Sequence, residues 1–223
     1  MDTLKFIIKR IFYLLILLLG VATIVFVLTR LVPTDPVAAN LSQRNLNNEE
    51  MVNAFRAKWG LDKPVWQQYL IYLKGLLQLD FGTSIRTGKP VLSELKRCFP
   101  ATLELSIFAI IFASVVGILF GVISALKRNS VIDQIVRGVS VAGVSVPTFW
   151  LALLLLYLFY YKLGIAPGTG RISSYFKPPE TVTGLYVIDA LIEGNIYKAI
   201  DCLRHLVLPG IVLGSFTMGL ITR

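Results

Sequence analysis

Four long stretches without a charged residue dominate this chain and restrict what it can fold into. They cover residues 11–29, 105–126, 138–161 and 206–222, and none contains Asp, Glu, Lys or Arg. A helix needs roughly 20 mostly apolar residues to cross the hydrocarbon core of a bilayer. Three stretches meet that length, and the fourth comes close with its flanks. The pattern predicts an all-α, polytopic membrane helical bundle with four transmembrane helices in this chain.

The composition supports a membrane protein and argues against several other classes. Charged residues make up 16% of the chain, whereas soluble domains carry about 25%. The net charge is +9, but no basic cluster is longer than two residues, so we expect no nucleic acid partner. With two cysteines and one histidine, the chain lacks metal-ligand spacing and a nucleophile–base pair. We therefore expect no catalytic residue, cofactor or metal site.

The first charge-free stretch predicts a retained anchor helix. A signal peptide has an apolar region of roughly 7–15 residues, and residues 11–29 form a longer one. The cations Lys5, Lys9 and Arg10 precede this stretch, as cytoplasmic orientation signals do.

Lys and Arg in short loops set the orientation of membrane helices. The loop between the second and third stretches carries Lys127, Arg128 and Arg137. It lies on the same side as the N-terminal tail if every stretch crosses, so we expect both in the cytoplasm. These three cations are also the candidates for contact with cytoplasmic partners.

This orientation divides the chain into three parts. We expect a cytoplasmic tail with the first transmembrane helix in 1–30, an extracytoplasmic helical segment in 31–97, and the start of a transmembrane domain in 98–223. The predicted helices of the last part are about 101–126, 138–161 and 205–222, with an extracytoplasmic loop at 162–204.

The extracytoplasmic segment predicts two amphipathic helices. Asn47 is a candidate N-cap with Glu50 three residues later, and Gly60 is a candidate helix end. A second helix is predicted over 64–79. The apolar faces comprise Met51, Val52, Phe55 and Trp59 in the first helix and Trp66, Tyr69, Leu70, Leu73 and Leu77 in the second. The pattern leaves open whether they cap the bundle or dock a partner.

The loop 162–204 contains several prolines and glycines that break long elements. One short helix is predicted over 186–200.

The second charge-free stretch carries a small residue at every fourth position. Such a stripe lets a neighbouring helix approach closely in lipid. The predicted packing residues are Ala109, Ala113, Gly117, Gly121 and Ala125.

Prolines predict interruptions in the third and fourth stretches. Pro147 and Pro209 each remove a backbone hydrogen bond, and Ser145 and Thr148 can bond carbonyls that Pro147 leaves free. Two interrupted helices suit a protein that changes shape around a path, although a static kink remains an alternative. The candidate hinge or path residues are Ser145, Pro147, Thr148, Pro209, Ser215 and Thr217.

Polar residues near the ends of the stretches predict boundary positions. Glu104 and His205 are expected to be solvated or paired there, with no functional role assigned. Cys98 and Cys202 lie on one side of the membrane in this topology, but nothing in the sequence brings them together, so a disulfide is not favoured.

Six short strings occur in an order that resembles a known family. They are 60–64 (GLDKP), 80–84 (DFGTS), 100–105 (PATLEL), 117–126 (GILFGVISAL), 145–150 (SVPTFW) and 205–209 (HLVLP), and the segment 30–36 (RLVPTDP) also fits. The series is similar to the membrane permease subunits of ABC importers for dipeptides, oligopeptides and nickel, and it extends over nearly the whole chain.

The resemblance implies a six-helix permease that forms half of a translocation path in a bacterial or archaeal plasma membrane, with its N-terminus in the cytoplasm. It also implies a second permease subunit, two cytoplasmic ABC ATPases that hydrolyse ATP, and an extracytoplasmic solute-binding protein that docks on 47–59 and 64–79. Membrane lipid surrounds the helices. The permease itself is not expected to be an enzyme.

The chain departs from the family pattern after the fourth stretch. In such permeases a cytoplasmic coupling loop and two further helices follow, and the sequence stops at Arg223. We therefore expect a truncated permease. A non-transporting membrane scaffold or paralogue is the alternative.

Overall fold

The computed structural model describes residues 3–31, 49–84 and 87–223. They divide into two compact units, Met1–Leu95 and Lys96–Arg223. The helices are α1 (Thr3–Leu31), α2 (Glu49–Trp59), α3 (Val65–Leu77), α4 (Val91–Leu126), α5 (Val131–Ser145), α6 (Thr148–Leu155), α7 (Tyr186–Ile192) and α8 (Ile196–Thr222), and α6 continues into a π-helical segment, Leu156–Lys162. Within the described ranges, β-structure is limited to an isolated bridge between Thr83 and Pro90.

Three of these helices, α1, α4 and α8, are long and apolar enough to cross a membrane. A fourth candidate consists of α5 together with α6 and the π segment, which meet at an angle of 112°. The predicted fold class, an all-α polytopic membrane protein, is confirmed.

The first unit joins α1 to α3 through a buried glutamine. Gln68 Oε1 accepts hydrogen bonds from Arg30 Nε at 3.1 Å and Nη2 at 2.7 Å. Its amide group donates to the carbonyls of Leu61 and Lys63. Tyr69 lies beside it, with its hydroxyl 2.6 Å from Thr23 Oγ1.

The buried face of α3 therefore differs from the predicted apolar face. Trp66, Leu70 and Leu77 are exposed, whereas polar Gln68 is buried because all of its hydrogen-bonding groups have partners. In α2, Phe55 and Trp59 lie outside the described side chains, and Asn47 lies outside the described residues. Gly60 follows α2 with φ +59°, a conformation in which glycine ends helices without strain.

The break at Pro147 arises from two consecutive extended residues. Val146 has φ −79° and ψ 127°, and Pro147 has φ −58° and ψ 129°. The residue before a proline is pushed out of the helical region, so α5 ends at Ser145 and α6 starts at Thr148 in a new direction.

The predicted break at Pro209 is not found. Helix α8 runs without interruption from Ile196 to Thr222 with Pro209 inside it. A helix can continue through one proline where its neighbours compensate for the lost hydrogen bond. The helix also begins before its predicted start near 205, because Asn195 Oδ1 accepts a hydrogen bond from Lys198 N at 3.0 Å and caps it.

Helix α4 likewise starts at Val91, before the predicted start near 101, and includes Pro100. The predicted single helix over 186–200 is two helices, α7 and the first turn of α8. Gly194 separates them with φ +73°.

Glycines of α8 lie directly against the backbones of α4 and α5. A Cβ atom on Gly214 would stand 2.9 Å from the carbonyl oxygen of Ala109 in α4, and one on Gly219 would stand 2.5 Å from that of Ser140 in α5. The contact is mutual, since a Cβ atom on Gly143 of α5 would stand 2.7 Å from the carbonyl oxygen of Ser215. At these glycines the backbone of α8 therefore comes close to the backbones of α4 and α5.

Two glycines of the same helix provide a test of this packing. We expect Gly143→Ala to lower the free energy of unfolding by about 1–3 kcal/mol, because the new methyl group overlaps a backbone carbonyl. Gly138 has no atom within 4 Å of an added Cβ, so Gly138→Ala should be neutral or stabilising by up to about 1 kcal/mol. Unfolding midpoints in detergent measure both effects, and equal midpoints for the two variants would contradict the packing.

Candidate functional site

The loop 163–185 contains no helix or strand, yet carboxylates on three helices hold it in place. We call it the clamped loop. In α4, Glu104 Oε2 accepts a hydrogen bond from Arg171 Nη2 at 2.7 Å, and Oε1 accepts one from Val187 N at 2.8 Å. Arg171 also donates to the carbonyl of Gly184 at 2.9 Å and stacks on the Tyr186 ring at 3.6 Å. One ion pair thus joins α4, the clamped loop and the start of α7.

A second carboxylate caps the end of the clamped loop. Asp189 in α7 accepts hydrogen bonds from Thr183 N at 2.8 Å, Thr183 Oγ1 at 2.7 Å and Gly184 N at 2.9 Å. Burial raises the pKa of Asp189, but these hydrogen bonds to the ionised form outweigh it, and the pKa is lowered overall. The carboxylate is ionised at neutral pH and satisfies backbone N–H groups that no regular structure pairs.

The third carboxylate, Asp201 in α8, holds the middle of the clamped loop. Its oxygens accept hydrogen bonds from Ser173 N at 2.8 Å, Ser173 Oγ at 2.7 Å and the Tyr175 hydroxyl at 3.3 Å. The buried His205 places Nδ1 2.8 Å from the Asp201 carbonyl oxygen.

Glu193 adds a fourth carboxylate contact in the short connection between α7 and α8. It accepts hydrogen bonds from Lys198 Nζ at 2.5 Å and from the backbone N–H of Glu180. The hydrogen bond from Lys198 and then that from Glu180 lower the pKa of Glu193.

The boundary residues singled out in the sequence have defined partners in the structure. Glu104 is buried in an ion pair, and His205 is buried against Asp201. Both thiols are free, with Cys98 exposed and Cys202 buried. Local patterns did not identify Arg171 or Asp201, because their partners Glu104 and Ser173 lie 67 and 28 positions away in the chain. The partners of Asp189 lie five and six positions before it, but no pattern singled it out.

The turn between α4 and α5 is built around Asp133. This buried carboxylate accepts hydrogen bonds from Ser124 Oγ, from Asn129 N at 2.9 Å and from Arg137 Nε at 2.9 Å. Ser130 caps α5 by accepting a hydrogen bond from Asp133 N. The Ser-x-x-Asp spacing at 130–133 is a capping-box signal that could have identified this turn from sequence.

The three cations proposed for cytoplasmic contact therefore differ in their surroundings. Lys127 and Arg128 are exposed at the turn. The side chain of Arg137 is 65% exposed but is held by Asp133.

The predicted packing stripe changes its surroundings along α4. Ala109, Ala113 and Gly117 are buried, Gly121 is half-buried and Ala125 is exposed. A Cβ atom on Gly117 would stand 2.9 Å from the Cβ atom of Ile221 in α8. The end of the stripe at Ala125 is open in this structure.

The candidate hinge and path residues do not form one cluster. Ser145, Pro147 and Thr148 lie together at the break between α5 and α6 and are exposed. In α8, Pro209 and Thr217 are exposed, whereas Ser215 is buried and donates to the Val212 carbonyl at 2.8 Å.

A cavity of about 470 Å³ lies where α4, α5 and α8 meet near the Asp133 turn. Its lining combines hydroxyl groups and guanidinium groups with one apolar side chain. The lining residues are Ser124, Arg137, Ser140, Val141, Thr222 and Arg223. Among the described residues, no group of three His, Cys, Asp or Glu side chains could hold a metal ion.

The Glu104–Arg171 ion pair can be tested by a double-mutant cycle. We expect Glu104→Gln to lower the free energy of unfolding by about 3 kcal/mol, because it leaves a half-buried guanidinium without its counter-charge. The double variant, with Glu104→Gln and Arg171→Gln together, should lose less free energy of unfolding than the sum of the losses in the two single variants. Glu180→Gln, at an exposed side chain of the same loop, is the matched control. If it destabilises as much as Glu104→Gln in denaturant unfolding, the ion pair does not stabilise the loop.

Comparison with known proteins places the chain in a family. Residues 3–106 match the family described as "Binding-prot-dependent transport system membrane comp, N-term", and residues 117–223 match "Binding-protein-dependent transport system inner membrane component".

Three curated relatives are similar along almost the whole chain. The probable D,D-dipeptide transport system permease protein of Escherichia coli (strain K12) is 41% identical over 96% of this chain and 63% of its own length. The di/tripeptide transport system permease protein of Pseudomonas aeruginosa (strain UCBPP-PA14) is 42% identical over 99% and 65%. The dipeptide transport system permease protein of Alkalihalophilus pseudofirmus is 38% identical over 96% and 64%.

The chain thus spans just under two thirds of the length of these relatives. The two family matches together cover nearly all of its residues, in the order expected from the resembling strings. The chain belongs to the family of binding-protein-dependent transport system inner membrane components.

Proposed function

We propose that the protein containing this chain is the permease subunit of an ATP-driven importer for peptides, and that this chain contributes part of the translocation path. The observation that carries the proposal is the 38–42% identity to three permeases named for dipeptide or di/tripeptide transport. Their names favour peptides over nickel, the other substrate class considered from the sequence.

The cavity of the second unit supports a path with polar walls. Helices α4, α5 and α8 meet through glycines, and the cavity between them has hydroxyl groups from Ser124, Ser140 and Thr222. Peptides present backbone N–H and C=O groups that require such partners once they leave water. The bend at Pro147 is a candidate hinge for this wall.

The proposed partners follow from the family. They are a second permease subunit, two cytoplasmic ABC ATPases and an extracytoplasmic binding protein. With the N-terminus in the cytoplasm, Lys127 and Arg128 face the ATPases and the exposed apolar residues Trp66, Leu70 and Leu77 of α3 are available to the binding protein. ATP hydrolysis belongs to the ATPases in this proposal, because no phosphate-binding GxxxxGK[ST] loop occurs in the chain.

Transport in proteoliposomes tests the function. The vesicles contain the full-length gene product with its second permease and ATPases, and the binding protein is added outside. We expect ATP-dependent uptake of a labelled dipeptide or tripeptide that stops when the binding protein is omitted. Absence of peptide uptake, or uptake of nickel alone, would refute the peptide importer.

The hinge is tested separately at the two prolines. We expect Pro147→Ala to reduce peptide uptake several-fold while assembly is retained, because alanine restores the N–H group and lets α5 and α6 join. Pro209→Ala is the matched control, since α8 is already continuous there, and its uptake should stay close to that of the unmodified protein. If the two variants take up peptide equally, the bend at Pro147 is not a hinge for transport.

A further inference from the structure

An apolar groove lies between the π segment and α8. Its volume is about 420 Å³, within the range of small-ligand sites. One wall is formed by Leu155 and Phe159, and the other by residues of α8. The lining residues are Leu155, Phe159, Ile165, Ala166, Pro167, Arg204, Val207, Leu208 and Ile211. We call it the π-segment groove.

The backbone of one wall has an unusual form. The π segment Leu156–Lys162 is seven residues long, whereas π-helical turns are rare, short and often found at functional sites. Ile165 N and Ala166 N both donate to the carbonyl of Phe159, at 3.0 and 3.1 Å. These bonds fold the chain back and close the end of the groove, so the wide turn and the groove are built together.

Arg204 supplies the only charge in the lining of the groove. It is exposed, and among the described residues it donates a hydrogen bond from Nη2 to the Ile165 carbonyl at 3.3 Å. A guanidinium has five N–H donors, and within the described part of the chain no carboxylate pairs with this one. The nearby Asp201 carboxylate is already bonded to Ser173 and Tyr175.

The position of Arg204 matches the edge of the hydrocarbon layer. It lies two residues before the charge-free stretch 206–222, and long cationic side chains at such positions extend to the headgroup level. The groove continues from Arg204 along Val207, Leu208 and Ile211, which belong to the apolar part of α8. The groove therefore has a charged end at the headgroup level and an apolar slot that extends from it along the apolar part of α8.

We propose that the π-segment groove binds an anionic phospholipid, with one acyl chain in the apolar slot and the phosphate on Arg204. A guanidinium binds phosphate oxygens through two parallel hydrogen bonds. Arg204 is the charged residue of the lining, and Asp201, three positions before it, is already bonded to Ser173 and Tyr175. The groove therefore favours a headgroup with net negative charge, such as phosphatidylglycerol, over one that carries its own ammonium group.

Lipid retention tests the proposal. The full-length protein is purified from membranes, placed in nanodiscs of mixed phosphatidylglycerol and phosphatidylethanolamine, and analysed by native mass spectrometry. We expect Arg204→Gln to lower retained phosphatidylglycerol about fivefold, the contribution of one cation near an anionic surface. Lys177→Gln removes an exposed cation from the clamped loop and should leave retention unchanged. Equal retention in Arg204→Gln and the unmodified protein, or an equal loss in Lys177→Gln, would overturn the proposal.

Two further variants examine the groove itself. Ala166→Phe fills the slot and leaves Arg204 in place, so it should also release the lipid, whereas undiminished retention would exclude the acyl-chain site. Arg204→Lys keeps the charge and should retain more lipid than Arg204→Gln, which separates lipid loss from misfolding. A photo-crosslinking residue at Val207 should capture phospholipid. Capture of the second permease there instead would show that a protein covers the groove.

Discussion

Direct backbone contact between α8 and its two neighbours is the constraint on which the second unit depends. Lipid tails are as apolar as the side chains they would replace, so membrane helices gain little from hydrophobic burial against each other and must fit closely. Gly214 against α4, and Gly143 and Gly219 between α5 and α8, provide that fit. The cavity near Asp133 and two of the carboxylates that hold the clamped loop, Glu104 and Asp201, lie on helices that these glycines bring together.

The clamped loop shows how a segment without regular structure becomes ordered. Backbone N–H groups that leave water need acceptors, and here the acceptors are carboxylates on α4, α7 and α8. Glu104, Asp189 and Asp201 are buried, which is costly for a charge unless hydrogen bonds compensate. Each of them has at least two donors, so loop order and charge burial support each other. The loop is fixed to the three helices because it is hydrogen-bonded to all of them.

The sequence predicts the membrane class because the charge-free stretches report directly on burial in lipid. The sequence does not predict that Pro147 and Pro209 differ in their effect on the helix. Pro147 ends a helix because Val146 is extended, whereas Pro209 lies inside the continuous helix α8. The Asp133 turn has a local capping pattern, but the Glu104–Arg171 pair joins residues 67 positions apart, so only the fold reveals it.

The 112° angle at Pro147 has a mechanical consequence. Because Asp133 ties the first turn of α5 to the end of α4, the α4–α5 pair is fixed at that end. The segment 148–162 beyond the break is roughly 20 Å long, so a rotation of about 10° at Val146 would move its far end by about 3.5 Å. A small rotation about two backbone torsions would thus displace the end of this segment by a distance comparable to the width of a peptide backbone.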